Sequence, residues 1–298
     1  TSIITTGTVT GTTEEAIQVS NTGAATDISV NTGAGTVTGA TTGIDVTNSG
    51  TAGTTSVVTT GAVTGAADYA IHILQDTGTA GVTVNTGAGA ILGDKKAILI
   101  DNDGDGATAV TTAGVVTGTT EDAIYIDNAA STTGATVNAT SGAITGNTNG
   151  IYIDHQGTGS AIITGAADIT GTTLDGIFID NTPQGSNISI TTNGAVLGDD
   201  RGIKANNDGT GTTSIITTGT VTGTTEEAIH VSNTGAATDI SVNTGAGAIL
   251  GQTHGIYADN DGNGATSVTT TGTVTGTDND GILVNGLLNT DGMVINAG

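Results

Sequence analysis

Two short apolar motifs recur along the whole chain at an almost fixed distance from each other. The first is a Val or Ile two residues before a glycine, and the second is an Ile seven or eight residues later. The second motif occurs at Ile17, Ile44, Ile71, Ile98, Ile124, Ile151, Ile177, Ile203, Ile229, Ile256 and Ile282. Because ten repeats separate the first Ile from the last, the mean period is about 26.5 residues, which indicates a tandem array.

The distance between the two motifs alternates between eight and seven residues, so the true repeat is a pair of unlike units. Each unit holds three short strand-like stretches, and in the third of them apolar residues alternate with polar ones, as at Ile151 and Ile153. Such a unit cannot bury its apolar face alone and must stack on its neighbours. The sequence predicts an all-β parallel β-helix (β-solenoid) of about 11 coils of roughly 25–28 residues, with three short strands per coil.

A long duplication fits this stacking. Residues 1–35 recur at residues 213–247 with one difference, Gln18 in the first copy and His230 in the second. The two copies are eight units, or four pairs, apart. The pattern runs from residue 1 to residue 298, which predicts a single β-solenoid domain. Neither end carries an atypical polar unit, and we therefore expect an excerpt or a subunit of a longer array.

A column of amides is predicted four residues after each repeated Ile. Asparagine occupies eight of these eleven positions, and Gln75 and His155 occupy two others. Asparagine tolerates the left-handed backbone of a tight corner, and its side chain can bond the amides of the coils above and below. We therefore expect corner residues that stack along the rod.

Composition and charge narrow the classes of function. The chain has 50 glycines, one proline, no cysteine, 2% aromatic residues and a net charge of −24. Such a charge repels nucleic acids and acidic lipid surfaces, so neither is an expected partner, and cations are. No apolar run is long enough to span a bilayer, and membrane insertion by this segment is not expected.

An outward-facing column follows directly after the repeated Ile. It holds four of the chain's five aromatic residues, and four consecutive coils place an apolar side chain there. The predicted contact residues are Leu99, Tyr125, Tyr152, Phe178 and Tyr257. Such a stripe can contact sugar rings or a second rod, and it can also simply stabilise the ladder.

A second outward column, two residues further on, carries aspartates in consecutive coils. Carboxylates about 5 Å apart repel each other, and a bound cation relieves the repulsion. The segment "DNDGDG" at residues 101–106 also resembles the start of EF-hand and dockerin calcium loops, although the twelfth position is Thr112. The predicted Ca²⁺ ligands are Asp101, Asp103, Asp105, Asp127, Asp154, Asp180, Asp259 and Asp261. The alternative is a solvated Asx-Gly turn.

A third column lies two residues before the repeated Ile. Here acidic residues alternate with neutral or basic ones, and Lys95, Lys96 and Arg201 lie in this turn. We expect each cation to pair with carboxylates of the coils above and below. Surface pairs of this kind contribute at most about 1 kcal/mol each, so we expect them to select which coil type follows which.

Catalysis and ice binding are not favoured by the pattern. No unit is much longer than the mean, so no insertions wall a groove, and the four histidines do not converge on one place. We therefore expect no enzymatic activity. Ice binding requires a regular Thr-x-Thr array, whereas the residue before the Val/Ile of the first motif is often Ala.

Three segments, "GTVTGTTEEAI", "GVVTGTTEDAIYIDN" and "GTVTGTDNDGILVN", resemble the repetitive passenger domains of bacterial autotransporters and, more loosely, filamentous-haemagglutinin-like exoproteins. The resemblance covers nearly the whole chain. It implies a right-handed β-helix, located outside the cell or at the bacterial cell surface, that serves as a stalk, adhesin or matrix fibre. Its expected partners are further copies in rods or fibres. The alternative is a calcium-dependent carbohydrate-binding module that uses the aromatic stripe on surface glycans.

Overall fold

The computed structural model describes residues 1–23, 27–76, 78, 80–286 and 293–297. These residues form 34 β-strands and no helix. The strands belong to three parallel sheets with 12, 11 and 11 members. Each coil contributes one strand to each sheet in turn.

The strands of the three sheets are short. The first sheet contains β1 (Ser2–Ile4), β4 (Ile28–Asn31), β7 (Thr55–Thr59), β10 (Val82–Thr86), β13 (Thr108–Thr112), β16 (Gly134–Ala139), β19 (Ser160–Gly165), β22 (Ile188–Thr192), β25 (Thr213–Thr217), β28 (Ile240–Thr244), β31 (Thr266–Thr270) and β34 (Met293–Ala297). The second contains β2 (Val9–Gly11), β5 (Val37–Gly39), β8 (Val63–Gly65), β11 (Ile91–Gly93), β14 (Val116–Gly118), β17 (Ala143–Gly146), β20 (Asp168–Gly171), β23 (Val196–Gly198), β26 (Val221–Gly223), β29 (Ile249–Gly251) and β32 (Val274–Gly276). The third contains β3 (Ile17–Asn21), β6 (Ile44–Asn48), β9 (Ile71–Gln75), β12 (Ile98–Asn102), β15 (Ile124–Asn128), β18 (Ile151–His155), β21 (Ile177–Asn181), β24 (Ile203–Asn207), β27 (Ile229–Asn233), β30 (Ile256–Asn260) and β33 (Ile282–Asn285).

The strands stack in the register that the two motifs predict. Each strand pairs in parallel with its equivalent one coil away, so that Ile124 lies opposite Ile151 and Val116 opposite Ile144. The predicted parallel β-helix with three strands per coil is therefore confirmed. The right-handed sense of the helix stays a prediction.

The core consists of stacked columns of small aliphatic side chains. Strands of the first and third sheets alternate buried with more exposed residues, as in Ile124–Asn128, where the first, third and fifth side chains point inward. Ile124, Ile126, Val137 and Ile144 are all completely buried. Because β-branched residues pack well on a pleated sheet, Val and Ile fill this narrow interior without aromatic residues.

The glycine that ends each strand of the second sheet allows the chain to turn tightly toward the third sheet. A Cβ atom built on Gly146 would lie 1.8 Å from the backbone oxygen of Asn149 and 2.7 Å from the backbone nitrogen of Ala123. The equivalent Gly93 and Gly198 have the same close approach, to Lys96 and Arg201. Glycine is required here because no side chain fits beside the backbone.

The predicted amide column lies inside the solenoid. Asn48, Asn102 and Asn128 are completely buried, and each ends a strand of the third sheet. The expected left-handed corner geometry is therefore wrong, because these residues belong to the extended ladder and direct their amides inward. Stacking of the amides is confirmed where Asn21 donates to Asn48 at 2.8 Å and Asn181 donates to Asn207 at 2.9 Å.

Threonines of alternate coils bridge three other steps of the amide column. Asn102 donates to the Thr108 hydroxyl at 2.9 Å, and this hydroxyl donates in turn to Asn128 at 2.7 Å. Asn207 and Asn233 are joined in the same way through Thr213. The two kinds of coil are thus held together by two kinds of contact, one direct and one bridged.

His155 replaces asparagine in the amide column, and Ala161 stands where the next bridging threonine would be. The His155 Nε2 atom donates to the carbonyl of Gly159 at 3.1 Å, and Nδ1 accepts from Asn128 at 3.4 Å. Burial lowers the pKa of His155, which favours the neutral imidazole with this tautomer.

Candidate functional site

The outward face of the third sheet gathers the residues that the sequence marks as candidates. In β12, β15, β18 and β21 the second and fourth side chains are partly exposed, while the first, third and fifth are buried. The second positions place Leu99 opposite Tyr125, then Tyr152, then Phe178. We call Tyr125, Tyr152 and Phe178 the ring column.

The rings of this column stack on one another along the rod. The centroids of Tyr152 and Phe178 are 4.7 Å apart with an interplanar angle of 5°, and those of Tyr125 and Tyr152 are 5.0 Å apart with an angle of 44°. The centroid separation is close to the spacing of neighbouring strands, about 4.8 Å. The faces of Tyr152 and Phe178 therefore meet, whereas the Tyr125 ring contacts Tyr152 at a tilt.

Lysine ammonium groups cover both ends of the ring column. The Nζ atom of Lys204 lies 4.3 Å from the ring centre of Phe178, and that of Lys96 lies 5.2 Å from the ring centre of Tyr125. A cation over an aromatic face contributes about 0.5–2 kcal/mol. Because Phe178 contacts Tyr152 on one side and Lys204 on the other, neither of its faces is available to a planar ligand.

Asp101, Asp127, Asp154 and Asp180, which we call the acid column, run beside the ring column. Partial burial raises the pKa of each of these carboxyls above its ordinary value, and neighbouring carboxylates raise it further. The predicted repulsion along the ladder is thus present. Burial and the same carboxylates raise the pKa of Tyr125 to about 12, which keeps this phenol neutral.

The "DNDGDG" segment begins in β12 and turns toward the first sheet. Its second residue, Asn102, points inward and accepts a hydrogen bond from the Gly104 amide at 3.0 Å. The sixth residue, Gly106, packs so closely that a Cβ would lie 2.1 Å from the backbone nitrogen of Gly81. Asx-turn bonding and coil packing therefore account for the Asn and this Gly, whereas Asp105 is exposed.

The same turn recurs elsewhere. In "DNDGNG", which contains Asp259 and Asp261, the Gly262 amide donates to Asn260 at 3.1 Å. Within the described ranges, no group of three or more His, Asp or Glu side chains is placed to hold a metal ion. Calcium binding by the predicted aspartates stays a prediction.

Tyr257 lies apart from the ring column in a second cluster. Its ring is 4.9 Å from that of His230 at an angle of 66°, and its hydroxyl contacts Asp259 at 3.4 Å. His230 Nδ1 lies 3.4 Å from Glu227, which also accepts from Arg201 Nε at 2.9 Å. The His230 imidazole is the main cause that lowers the pKa of Glu227. The single difference between the duplicated segments thus lies in a cluster that sequence reasoning did not identify.

Each of the three cations pairs with a carboxylate of a neighbouring coil, but of the three Arg201 alone pairs with both neighbouring coils as predicted. Lys95 pairs with Asp68 of the coil before it at 2.5 Å, and Lys96 with Glu121 of the coil after it. Arg201 lies between Asp175 on one side and Glu226 and Glu227 on the other. These pairs do connect unlike coils, as expected.

The acidic residues of this turn are not all at the surface, contrary to the expectation. Asp122 is 7% exposed and Asp175 is 5% exposed. Asp122 accepts from the backbone and side-chain nitrogens of Asn149, and Asp175 accepts from the Arg201 amide at 3.1 Å. Backbone donors of the next coil thus compensate part of the desolvation of these carboxylates.

Burial raises the pKa of Asp175 to about 6, against the opposing effect of Arg201. The folded chain therefore binds this proton more tightly than the unfolded chain, and stability rises as the pH falls from above 6 toward 3.8. Asp175→Asn removes the buried charge, so we expect a melting temperature about 2–4 °C higher than wild type near pH 8 and no gain near pH 4. Scanning calorimetry at both pH values measures this difference.

The control for this prediction is Asp105→Asn, which changes an exposed turn residue. We expect it to leave the melting temperature unchanged at both pH values. A destabilised Asp175→Asn protein near pH 8 would show that the ion pair with Arg201 outweighs the cost of burial.

No membrane-spanning helix is found among the described residues. No protein-family model, curated protein or solved structure matches the chain.

Proposed function

We propose that this protein is a structural and adhesive rod at the outside of a bacterial cell, serving as a stalk, adhesin or matrix fibre that associates with further copies. The observation that carries the proposal is the unbroken register of the three sheets, in which every strand from β4 to β31 pairs with an equivalent on both sides. Each coil contacts mainly the next coil, and length is therefore the property that repetition provides.

The ring column supports a structural role more directly than a carbohydrate-binding role. Sugar recognition by aromatic residues uses open ring faces, whereas here the faces contact each other, Lys96 and Lys204. Stacked aromatic pairs contribute about 0.5–1.5 kcal/mol each beyond burial. The ring column thus stabilises three adjacent coils.

Replacing Tyr125, Tyr152 and Phe178 together with serine tests this role. We expect the free energy of unfolding to fall by about 2 kcal/mol, because one stacked and one tilted ring pair and two cation contacts are lost. Thermal unfolding followed by circular dichroism measures the loss. A suitable control replaces Leu74 and Leu174 with serine, since these leucines lie in the third sheet and in the turn before it, in separate coils, and are not part of the ring column.

The same triple serine variant discriminates between the two candidate functions. If wild-type protein is retained on immobilised glycans and the variant is not, with stability unchanged, the carbohydrate-binding module is favoured. Calcium enters this alternative through Asp101, Asp103 and Asp105. Loss of stability without any glycan retention by wild type favours the structural rod.

Electron microscopy and surface labelling test the proposed function itself. We expect purified protein to appear as straight rods of uniform width, about 50 Å long for a stack of 11 coils or longer if copies join. Antibodies against the chain should label intact cells that produce it. Compact particles without an axis, or labelling only after the cells are opened, would contradict the proposal.

A further inference from the structure

Charged residues are confined to one part of the circumference of the solenoid. We define the neutral face as the first-sheet strand, the second-sheet strand and the turn between them in every coil, for example residues 108–118 and 213–223. Asp168 is the only Lys, Arg, Asp or Glu on this face within the described residues. All other described charges lie on the third sheet or on the two turns that flank it. A protein of net charge −24 thus has one long side that is almost free of charge.

The neutral face presents small polar side chains in straight rows. Its outward residues in the first sheet form one row beginning Ser29, Ser56 and Thr83, and a second row beginning Asn31, Val58 and Asn85. The second sheet adds a row in which Thr38 lies opposite Thr64 and Leu92 follows. Hydroxyl and amide groups of this kind donate and accept hydrogen bonds without carrying charge.

Exposed apolar residues are also concentrated on this face. Leu92, Leu197, Leu250 and Ile216 are between 40% and 42% exposed and point outward from its strands. Shallow clefts lie beside two of these leucines at the border of the face, one lined by Thr170, Leu197 and Asp199 and the other by Thr222, Leu250 and Thr277. Apolar knobs beside shallow clefts on one surface favour a self-complementary contact.

The charge distribution identifies a second copy of this chain as the occupant. Two copies repel each other wherever acidic columns approach, and at physiological salt this repulsion acts over about 8 Å. Two neutral faces related by a two-fold axis bring no such columns together, and the acidic sides then point away from the contact. A charged partner would find almost no opposite charge on this face. A second copy that binds there keeps its acidic columns away from those of the first copy.

The area of the face agrees with that of a stable contact. Strands about 4.8 Å apart over the 12-stranded first sheet give a length of about 50 Å, and five residues at about 3.3 Å each give a width of about 16 Å. The first sheet alone therefore offers about 800 Å² per partner, which is the size of a standard protein–protein interface. The second sheet and its leucines add to this area.

We infer that the neutral face is the surface through which two copies of this chain associate side by side. This inference rests on the proposed function, since it names the surface by which two rods associate laterally. The sequence alone suggested the ring column as the lateral contact. The neutral face lies elsewhere on the solenoid.

Three acidic substitutions on the neutral face test the inference. Ser56→Glu, Ser189→Glu and Ser241→Glu, combined in one chain, place carboxylates in one outward row of the first sheet. The matched control adds the same charge to the outward row of the acid column, through Ser20→Glu, Thr47→Glu and Ser232→Glu. Sedimentation velocity over a concentration series measures association of wild type and both variants, and circular dichroism shows that each remains folded.

We expect wild type and the control to sediment as paired rods, and the neutral-face variant to dissociate at least tenfold more readily. Three further outcomes overturn the inference: single rods for wild type at all concentrations, unchanged association of the neutral-face variant, or equal dissociation of the control. Electron microscopy separates this failure from failure of the proposed function. Rods that join end to end without lateral pairs exclude only the pairing, whereas the absence of rods excludes the function as well.

Discussion

Gly146→Ala should lower the free energy of unfolding by about 3 kcal/mol, through a single added methyl group. The new Cβ would lie 1.8 Å from the Asn149 carbonyl oxygen, and both clashing groups belong to the backbone. A flexible side chain could move aside, but here the turn between the second and third sheets must open. Because each coil supports its neighbours, we expect the loss to extend over adjacent coils. Hydrogen exchange around β17 and the thermal midpoint measure both effects.

Gly7→Ala is the matched control, because no heavy atom lies within 4 Å of the position of its Cβ. We expect it to change the thermal midpoint by less than a degree or two, because substitutions at exposed positions usually change the free energy of unfolding by under about 0.5 kcal/mol. If both glycine variants unfold at the same temperature as wild type, close backbone approach does not determine the turn.

Asn128→Ala should lower the free energy of unfolding by about 3 kcal/mol, because it leaves several buried groups without hydrogen-bond partners. Asn128 accepts from the Thr108 hydroxyl at 2.7 Å and donates to the Gly134 carbonyl at 2.9 Å and to His155 at 3.4 Å. Asn128 and His155 are completely buried and Thr108 is 1% exposed, so none of these side chains can exchange the lost bond for one to water. Chemical denaturation of the variant and wild type measures the difference.

Asn138→Ala provides the comparison for this experiment, since Asn138 lies in the next coil but points outward from β16. Its amide is half-buried and makes only a long contact with Thr164, at 3.4 Å. We expect a loss below about 0.5 kcal/mol. Equal losses in the two variants would mean that the interior amides are no more important than the surface ones.

The fold could be predicted from the sequence because repetition turns one-dimensional spacing into a spatial register. Once Ile17 and Ile44 are aligned, every other column follows, and the outward positions of Leu99, Tyr125 and Asp127 follow from the alternation of the strand. The same alternation puts Asn128 on the inward side, but its amide was expected at a corner of the coil instead. Asparagine is usual at exposed corners, and only the hydrogen bonds to neighbouring coils make its burial favourable.

The candidate site was predicted as a set of columns, but its contacts were not. The stacking of Tyr152 on Phe178 and the covering of its ends by Lys96 and Lys204 depend on side-chain rotamers that spacing does not specify. Burial of Asp175 depends on backbone donors of the following coil. The neutral face, by contrast, carries a sequence signal, since placing the charges on the repeat period shows that, apart from Asp168, the described charges avoid the first- and second-sheet strands.

The alternation of direct and threonine-bridged amide contacts limits how the gene for such a rod can change in length. Loss of a single coil would bring two coils of the same type together. If the lost coil carried Thr108, Asn102 would lose the hydroxyl to which it donates. Removal or gain of two coils keeps every junction intact. Unequal recombination should therefore be tolerated in steps of an even number of coils, as in the duplication of residues 1–35 at residues 213–247.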